Sequence, residues 1–368
     1  MIKVPLQRNP LLVSKIFELR QEFVEKRPPD FLPKLWSSTT ETNQHIVNVI
    51  IVPTRGCSWA LSEAGGCSVC GYINDSAHDS PIPEKRILEE IDQSLNQIDS
   101  KKPIEFKLYN SGSFFDENDV PEKLRIEILE KIRKDHRIFK LGVESRPEFL
   151  KNHLNIIKET KRLLKPIQLE IGVGLESSNN AILKDCWNKG FSLEDYRKSV
   201  QKVRSLKIRL KSYILIKPPF LTEKEAIVDA IKTARDALYI GTDVISFNPC
   251  NIQNGTLVNH LFKQDRYQPP WIWSVLFIVK SVLSEFPDID IICDSTAGGK
   301  QRGTHNCGKC DRVVLGLIDK VINKEKIPDD LSKICQCFFK WKVLVESPIE
   351  SLRLRNLSRL RRFDPLNE

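Results

Sequence analysis

Residues 45–72 read HIVNVIIVPTRGCSWALSEAGGCSVCGY. The first nine are rich in β-branched aliphatics bounded by a proline, the pattern of a buried strand. The glycine-punctuated remainder leaves that strand as a loop carrying Cys57, Cys67 and Cys70. Nine residues separate the first two cysteines and two separate the last pair. A strand that hands a cysteine loop to its C-terminal end belongs in an α/β sheet, where chemistry gathers at the carboxyl ends of the strands.

The same rhythm continues outward. Strand patterns recur as IEFKLYN from Ile104, IFKLGVE from Ile138, IQLEIGVGLE from Ile167, IRLKSYILIK from Ile208 and DVISFNP from Asp243. Segments such as PEKRILEEIDQSLNQI, PEKLRIEILEKIRKD and TEKEAIVDAIKTARDAL, with apolar residues three and four apart, supply crossover helices. Six βα units are too few for a closed eight-unit barrel, which leaves an open partial barrel or a doubly wound sheet. Residues 1–44 read as a helical N-terminal extension, 45–268 as the barrel, and 269–368 as a C-terminal cysteine-rich basic module.

With 368 residues, 40% of them hydrophobic, the chain buries a sizeable core and is not a disordered tail. Lys and Arg number 57 against 48 acidic residues, so a polyanionic partner fits the net charge of +9, as does a plain solvated surface. No apolar run approaches the roughly 20 residues that span a bilayer, and the N-terminus lacks a signal-peptide pattern. The expectation is a cytoplasmic protein with no membrane partner. Ten cysteines in a reducing compartment point to metal or redox chemistry rather than a disulfide framework.

Three thiolates on one loop can hold three irons of a four-iron cluster and leave the fourth iron open to a small molecule. A zinc site completed by a distant ligand such as His78 is the alternative. Ser111, Gly112 and Ser113 after the second strand expose hydroxyl and backbone groups suited to an amino group or carboxylate, or form a simple turn. Glu144 and Arg146 end the third strand, and Glu176 ends the fourth. Each alone is as compatible with a strand-end salt bridge as with a ligand, and their joint placement at successive strand ends favours a site. Lys217-Pro218-Pro219 and Asn248-Pro249-Cys250-Asn251 end the next two strands as substrate contacts or structural turns.

Further on, CDSTAGGKQRGTHNCGKCD is followed by Cys335 and Cys337. Paired cysteines of this kind spell a structural zinc site, with Cys307, Cys310, Cys335 and Cys337 as the preferred set and His305 or Cys293 able to replace one member. A second iron-sulfur cluster and buried apolar cysteines are the alternatives. Lys300, Arg302 and Lys309 add charge nearby, and SLRLRNLSRLRRF carries Arg353, Arg355, Arg359, Arg361 and Arg362. Phosphate binding fits that composition, as does an amphipathic helix with a solvated cationic face.

The cysteine loop after a first strand resembles the radical S-adenosylmethionine (SAM) superfamily, and the long first gap resembles its Elongator-like branch. The full string RGCSWALSEAGGCSVCGY looks most like the archaeosine synthase radical SAM subunit (RaSEA) family, with resemblance running through THNCGKCD. What this resemblance implies is a partial (β/α)6 radical SAM barrel with a 4Fe-4S cluster on Cys57, Cys67 and Cys70. It also implies bound SAM, with the Ser-Gly-Ser string at its methionine amino group; the strand-end positions of Glu144, Arg146 and Glu176 suit them to further SAM contacts. The implied reaction converts a lysine adduct of 7-cyano-7-deazaguanine in tRNA to archaeosine by radical C–N cleavage. A lysine-transferring partner subunit and an electron donor are implied with it. Two alternatives remain open: Elongator-like radical SAM modification of another tRNA base, and a zinc-stabilised tRNA-binding protein without radical chemistry.

Overall fold

The structure is a computed structural model that describes residues 9–28, 31, 33, 35–78 and 83–346. Its centre is one eight-stranded sheet, curled into a half barrel, with the strands in chain order. They are β1 (Trp36–Glu41), β2 (Ile46–Val52), β3 (Ile104–Asn110), β4 (Ile138–Ser145), β5 (Gln168–Gly174), β6 (Arg209–Ile216), β7 (Val244–Pro249) and β8 (Asp290–Cys293). β1 is antiparallel to β2, and every later pair is parallel.

The six expected strands are β2 to β7, and two more extend the sheet. Residues 1–44 were expected to be helical; Pro10–Glu25 is a helix, but Trp36–Glu41 is an edge strand. Its sequence WSSTTE is largely exposed and lacks apolar alternation, so it carries no strand signal beyond its threonines. At the other end the sheet runs past residue 268, because helix Ile272–Glu285 leads into the short β8.

Register sorts side chains onto two faces. Ile104, Phe106 and Leu108 of β3, Leu141 and Val143 of β4, and Leu169, Ile171 and Val173 of β5 are buried in the apolar core. The alternate residues turn inward: Glu105, Lys107 and Tyr109 stand beside Val47, Val49 and Ile51 of β2, and Glu170, Gly172 and Gly174 beside Arg209, Lys211 and Tyr213. From β3 to β6 this inner face is largely polar and its charges are mutually paired. Glu105 bonds Lys107 at 3.3 Å and Lys140 at 3.1 Å, and Glu170 meets Arg209 at 3.1 Å and Lys211 at 3.5 Å. Buried charges are tolerated there because each has a partner.

Local sequence fixes the outer helices. TEKE opens helix Glu223–Ile240 with a capping box in which Thr222 and Glu225 satisfy each other's backbone, a device worth about 1 kcal/mol. Gly241, at φ +117°, closes the same helix in a conformation that side chains disfavour. The apolar core is continuous from Ile46 through Trp273 to Trp341, so the C-terminal segment packs onto the barrel. Among the described residues, no helix is long and apolar enough to cross a membrane.

Candidate metal centres

The cysteine loop is held from several directions. Gly56, at φ +113°, donates its N–H to Asp119 Oδ1 at 2.7 Å and sets the turn into Cys57. Cys57 then opens the short helix Ser58–Leu61, its carbonyl accepting from Ala60 and Leu61. Asn188 donates to the carbonyls of Ala64 and Gly66, and accepts from Trp59 Nε1 at its own carbonyl. Gln253, from the loop after β7, accepts the Gly71 N–H at 2.5 Å. Gly112 presses against the base of this loop: a Cβ there would overlap Asp119 Oδ2 and come within 2.9 Å of the Cys57 Cα.

Cations crowd the three thiols. Burial pushes the Cys57 thiol up to about 11, with Arg146 as the chief opposing influence. Burial also raises Cys70, opposed by Arg20 and Lys189. Among the described residues, the four ligand atoms that converge within 4.8 Å of one another belong to Cys307, Cys310, Cys335 and Cys337. Cys57, Cys67 and Cys70 form no such single-ion group, and His78 directs Nε2 to the Ile73 carbonyl at 2.7 Å. Three cysteines on one loop, ringed by Arg20, Arg146 and Lys189, fit an anionic cluster that spaces its thiolates wider than one zinc ion does.

The strand-end residues fall around this loop. Ser111 Oγ reaches the Tyr72 carbonyl at 3.4 Å, whereas Ser113 is buried with its hydroxyl 2.7 Å from that of Ser145. Arg146 is engaged on all sides, bonding Glu148 and the Lys189 carbonyl and lying over the Trp59 ring. Its carboxylate partner is therefore Glu148, not Glu144. Glu144 is held above the usual carboxylate range by burial, and a bond from Tyr213 and the charge of Lys211 oppose this. Glu176, at φ +64°, pairs Oε1 with Lys189 at 3.0 Å and leaves a buried Oε2 without a partner. That orphan oxygen and the strained backbone mark Glu176 as the strand-end carboxylate with spare acceptor capacity.

Lys217 is committed elsewhere, donating to Glu223 at 2.6 Å, and its carbonyl accepts from Tyr267, which makes its turn structural. Arg20, Asp119, Lys189 and Tyr213 also contact the loop or its strand-end residues and were not expected from the sequence. Each is a single polar residue whose partner lies on another element.

The second cluster is compact. Sulfur separations are 3.9 Å for Cys307 to Cys310, 3.6 Å for Cys307 to Cys335 and 3.4 Å for Cys310 to Cys337. A tetrahedral zinc with Zn–S bonds of about 2.3 Å places its sulfurs about 3.8 Å apart, so the spacing fits. Trp273 Nε1 donates to Cys337 at 3.3 Å and Asn306 Nδ2 to Cys310 at 3.5 Å, the supporting bonds expected around thiolate ligands. His305 and Cys293 stay outside the group: Nδ1 of the histidine faces the Gly303 carbonyl, and Cys293 lies by Ser295. Arg353, Arg355, Arg359, Arg361 and Arg362 lie outside the described residues.

No protein-family profile matches the chain. It is 32% identical over 339 residues to archaeosine synthase subunit beta of Methanosarcina acetivorans, covering 91% of this chain and 96% of that protein. It is 30% identical over 305 residues to archaeosine synthase subunit beta of Thermococcus kodakarensis, covering 81% and 91%. In fold it is similar to the archaeal Elp3 of Methanocaldococcus infernus, with a TM-score of 0.50 at 17% identity over 66% of this chain and 59% of that one. The long relatives, matched over nearly their whole length, establish that the chain belongs to the archaeosine synthase subunit beta family.

Proposed function

We propose that this chain is a radical SAM enzyme of tRNA modification, the subunit that converts a lysine adduct of 7-cyano-7-deazaguanine in tRNA to archaeosine by radical C–N bond cleavage. The observation that carries this reading is the placement of Cys57, Cys67 and Cys70 on one cation-ringed loop at the carboxyl end of a half barrel. Those cysteines would hold the 4Fe-4S cluster. Bound together, the cluster and SAM supply one-electron chemistry that removes a substrate hydrogen atom.

The chain's own residues bind and orient. Glu176, with its unpaired oxygen, suits ribose hydroxyls of SAM, and Ser111 and Gly112 flank the loop where the methionine end would lie. Arg146 and Lys189 offset negative charge, and Asp119 keeps the Gly56 and Ser113 N–H groups in place. The polar inner face of β3 to β6 gives a modified base a hydrogen-bonding floor rather than an apolar one. Cys307, Cys310, Cys335 and Cys337 would hold a structural zinc ion. The reading includes tRNA, a lysine-transferring partner subunit and an electron donor as partners, and a cytoplasmic location.

The test supplies lysine-modified tRNA, SAM and a reductant to anaerobically reconstituted protein. Wild type should release archaeosine tRNA and 5'-deoxyadenosine, and Cys67→Ala should release neither. Deoxyadenosine without archaeosine would move the substrate to another base, and absence of both from iron-loaded wild type would overturn the radical reading.

A further inference from the structure

Helix Pro10–Glu25 buries one stripe, Leu12, Ile16 and Arg20, at four-residue spacing. The first two are ordinary core residues packed with Val69, Trp187 and Val258. The third position calls for another aliphatic side chain, yet it carries a guanidinium only 7% exposed. A buried cation is costly unless its surroundings repay it.

The repayment comes from the cysteine loop. Arg20 Nη2 donates to the Cys67 carbonyl at 3.2 Å and to the Cys70 carbonyl at 3.1 Å. Nη1 is buried with no hydrogen-bond partner, and a Cβ at Gly66 would sit 2.6 Å from it. Burial lowers the Arg20 pKa, and the charges opposing that are those of Cys70, Cys67 and Cys57. The helix backbone also lies against the loop, since a Cβ at Gly65 would stand 3.3 Å from the Phe17 nitrogen. Seven residues on, Arg27 donates to the carbonyls of Ile73 and Ser76, pinning the next stretch of chain.

We propose that Arg20 is a positioning residue of the cluster site, fixing the Cys67–Cys70 knuckle through two carbonyls and leaving an unspent donor and a positive charge buried against the cysteine loop. This rests on the reading of Cys57, Cys67 and Cys70 as cluster ligands. Positive charge and hydrogen bonds near the sulfurs favour the more negative, reduced cluster and so raise its reduction potential. Helix Pro10–Glu25 is then part of the redox site. Arginine suits the role better than lysine because its rigid planar fork lets Nη2 bond both carbonyls while fixing the direction of the separate Nη1, which a compact, freely rotating ammonium does not do.

The test compares wild type, Arg20→Gln, Arg20→Lys and the control Arg27→Gln after anaerobic reconstitution. Readouts are the midpoint potential from a spin-resonance titration, the rate of iron loss to a chelator, and the melting temperature of metal-free protein. Arg20→Gln should reduce at a more negative potential and lose iron several-fold faster. Arg20→Lys should recover most of the potential but not the retention, and Arg27→Gln should leave the potential unchanged. Wild-type potential and retention in Arg20→Gln would overturn the proposal, and so would failure of both Arg20 variants to fold, which would assign the residue to the core alone. Wild type that takes up no iron would instead refute the functional reading beneath it.

Discussion

Gly112 shows how closely the cysteine loop is fitted to the sheet beneath it. With Asp119 on one side and the Cys57 backbone on the other, the space for a methyl group is already filled. Gly112→Ala should therefore cost about 1–3 kcal/mol in urea unfolding and cut iron uptake several-fold; wild-type values of both would contradict the fit. The cysteines themselves were readable in the sequence because a two-residue gap makes a metal knuckle from local chain alone. Arg20 and Asp119 were not, since they act on residues 47 and 63 positions away. A solitary charged residue becomes part of a site only when the fold brings its partner to it. Glu144 and Arg146, adjacent in the pattern of strand ends, turn out to serve different neighbours, Tyr213 and Lys211 for one and Glu148 for the other.

Among the elements, β2 to β7 announce themselves by buried aliphatic runs, whereas β1 and β8 do not. WSSTTE is an exposed edge and DIIC spans four residues, too short for any period to register. Helix Glu223–Ile240 is legible from its capping box, but not its buried Asp229. That carboxyl accepts from Ser177 on the loop after β5 at 2.7 Å, and burial raises it to about 6 despite that bond. A raised carboxyl binds its proton more tightly in the folded than in the unfolded state. Its contribution is thus complete below the unfolded value of about 4 and is lost as pH climbs through about 6. Asp229→Asn keeps an acceptor for Ser177 and has no proton to lose. Urea unfolding should show the variant gaining on wild type by about 2 kcal/mol more at about pH 7.5 than at about pH 4.5. An equal difference at both would show that Asp229 does not titrate in this range.

Across the whole molecule, the barrel and the C-terminal cysteine group share one apolar core, with Cys310, Cys337 and Trp341 packed into it. Helix Ile272–Glu285 joins them: Trp273 donates to Cys337, and Ser274 accepts from Trp341. A composition change near Pro269 signals new chemistry in the sequence, but not that the sheet continues through β8, because packing between distant segments leaves no local pattern. Cys57, Cys67 and Cys70 and the group of Cys307, Cys310, Cys335 and Cys337 thus lie on one folded unit, and the proposed function gives the first an open cluster and the second a closed tetrahedral ion. Metal analysis of anaerobically reconstituted protein, comparing wild type with a Cys57→Ser, Cys67→Ser, Cys70→Ser triple variant, tests this most directly. Wild type should hold about four irons and about one zinc per chain, and the triple variant should lose the iron and keep the zinc. Zinc alone in wild type, or iron retained by the triple variant, would contradict that assignment.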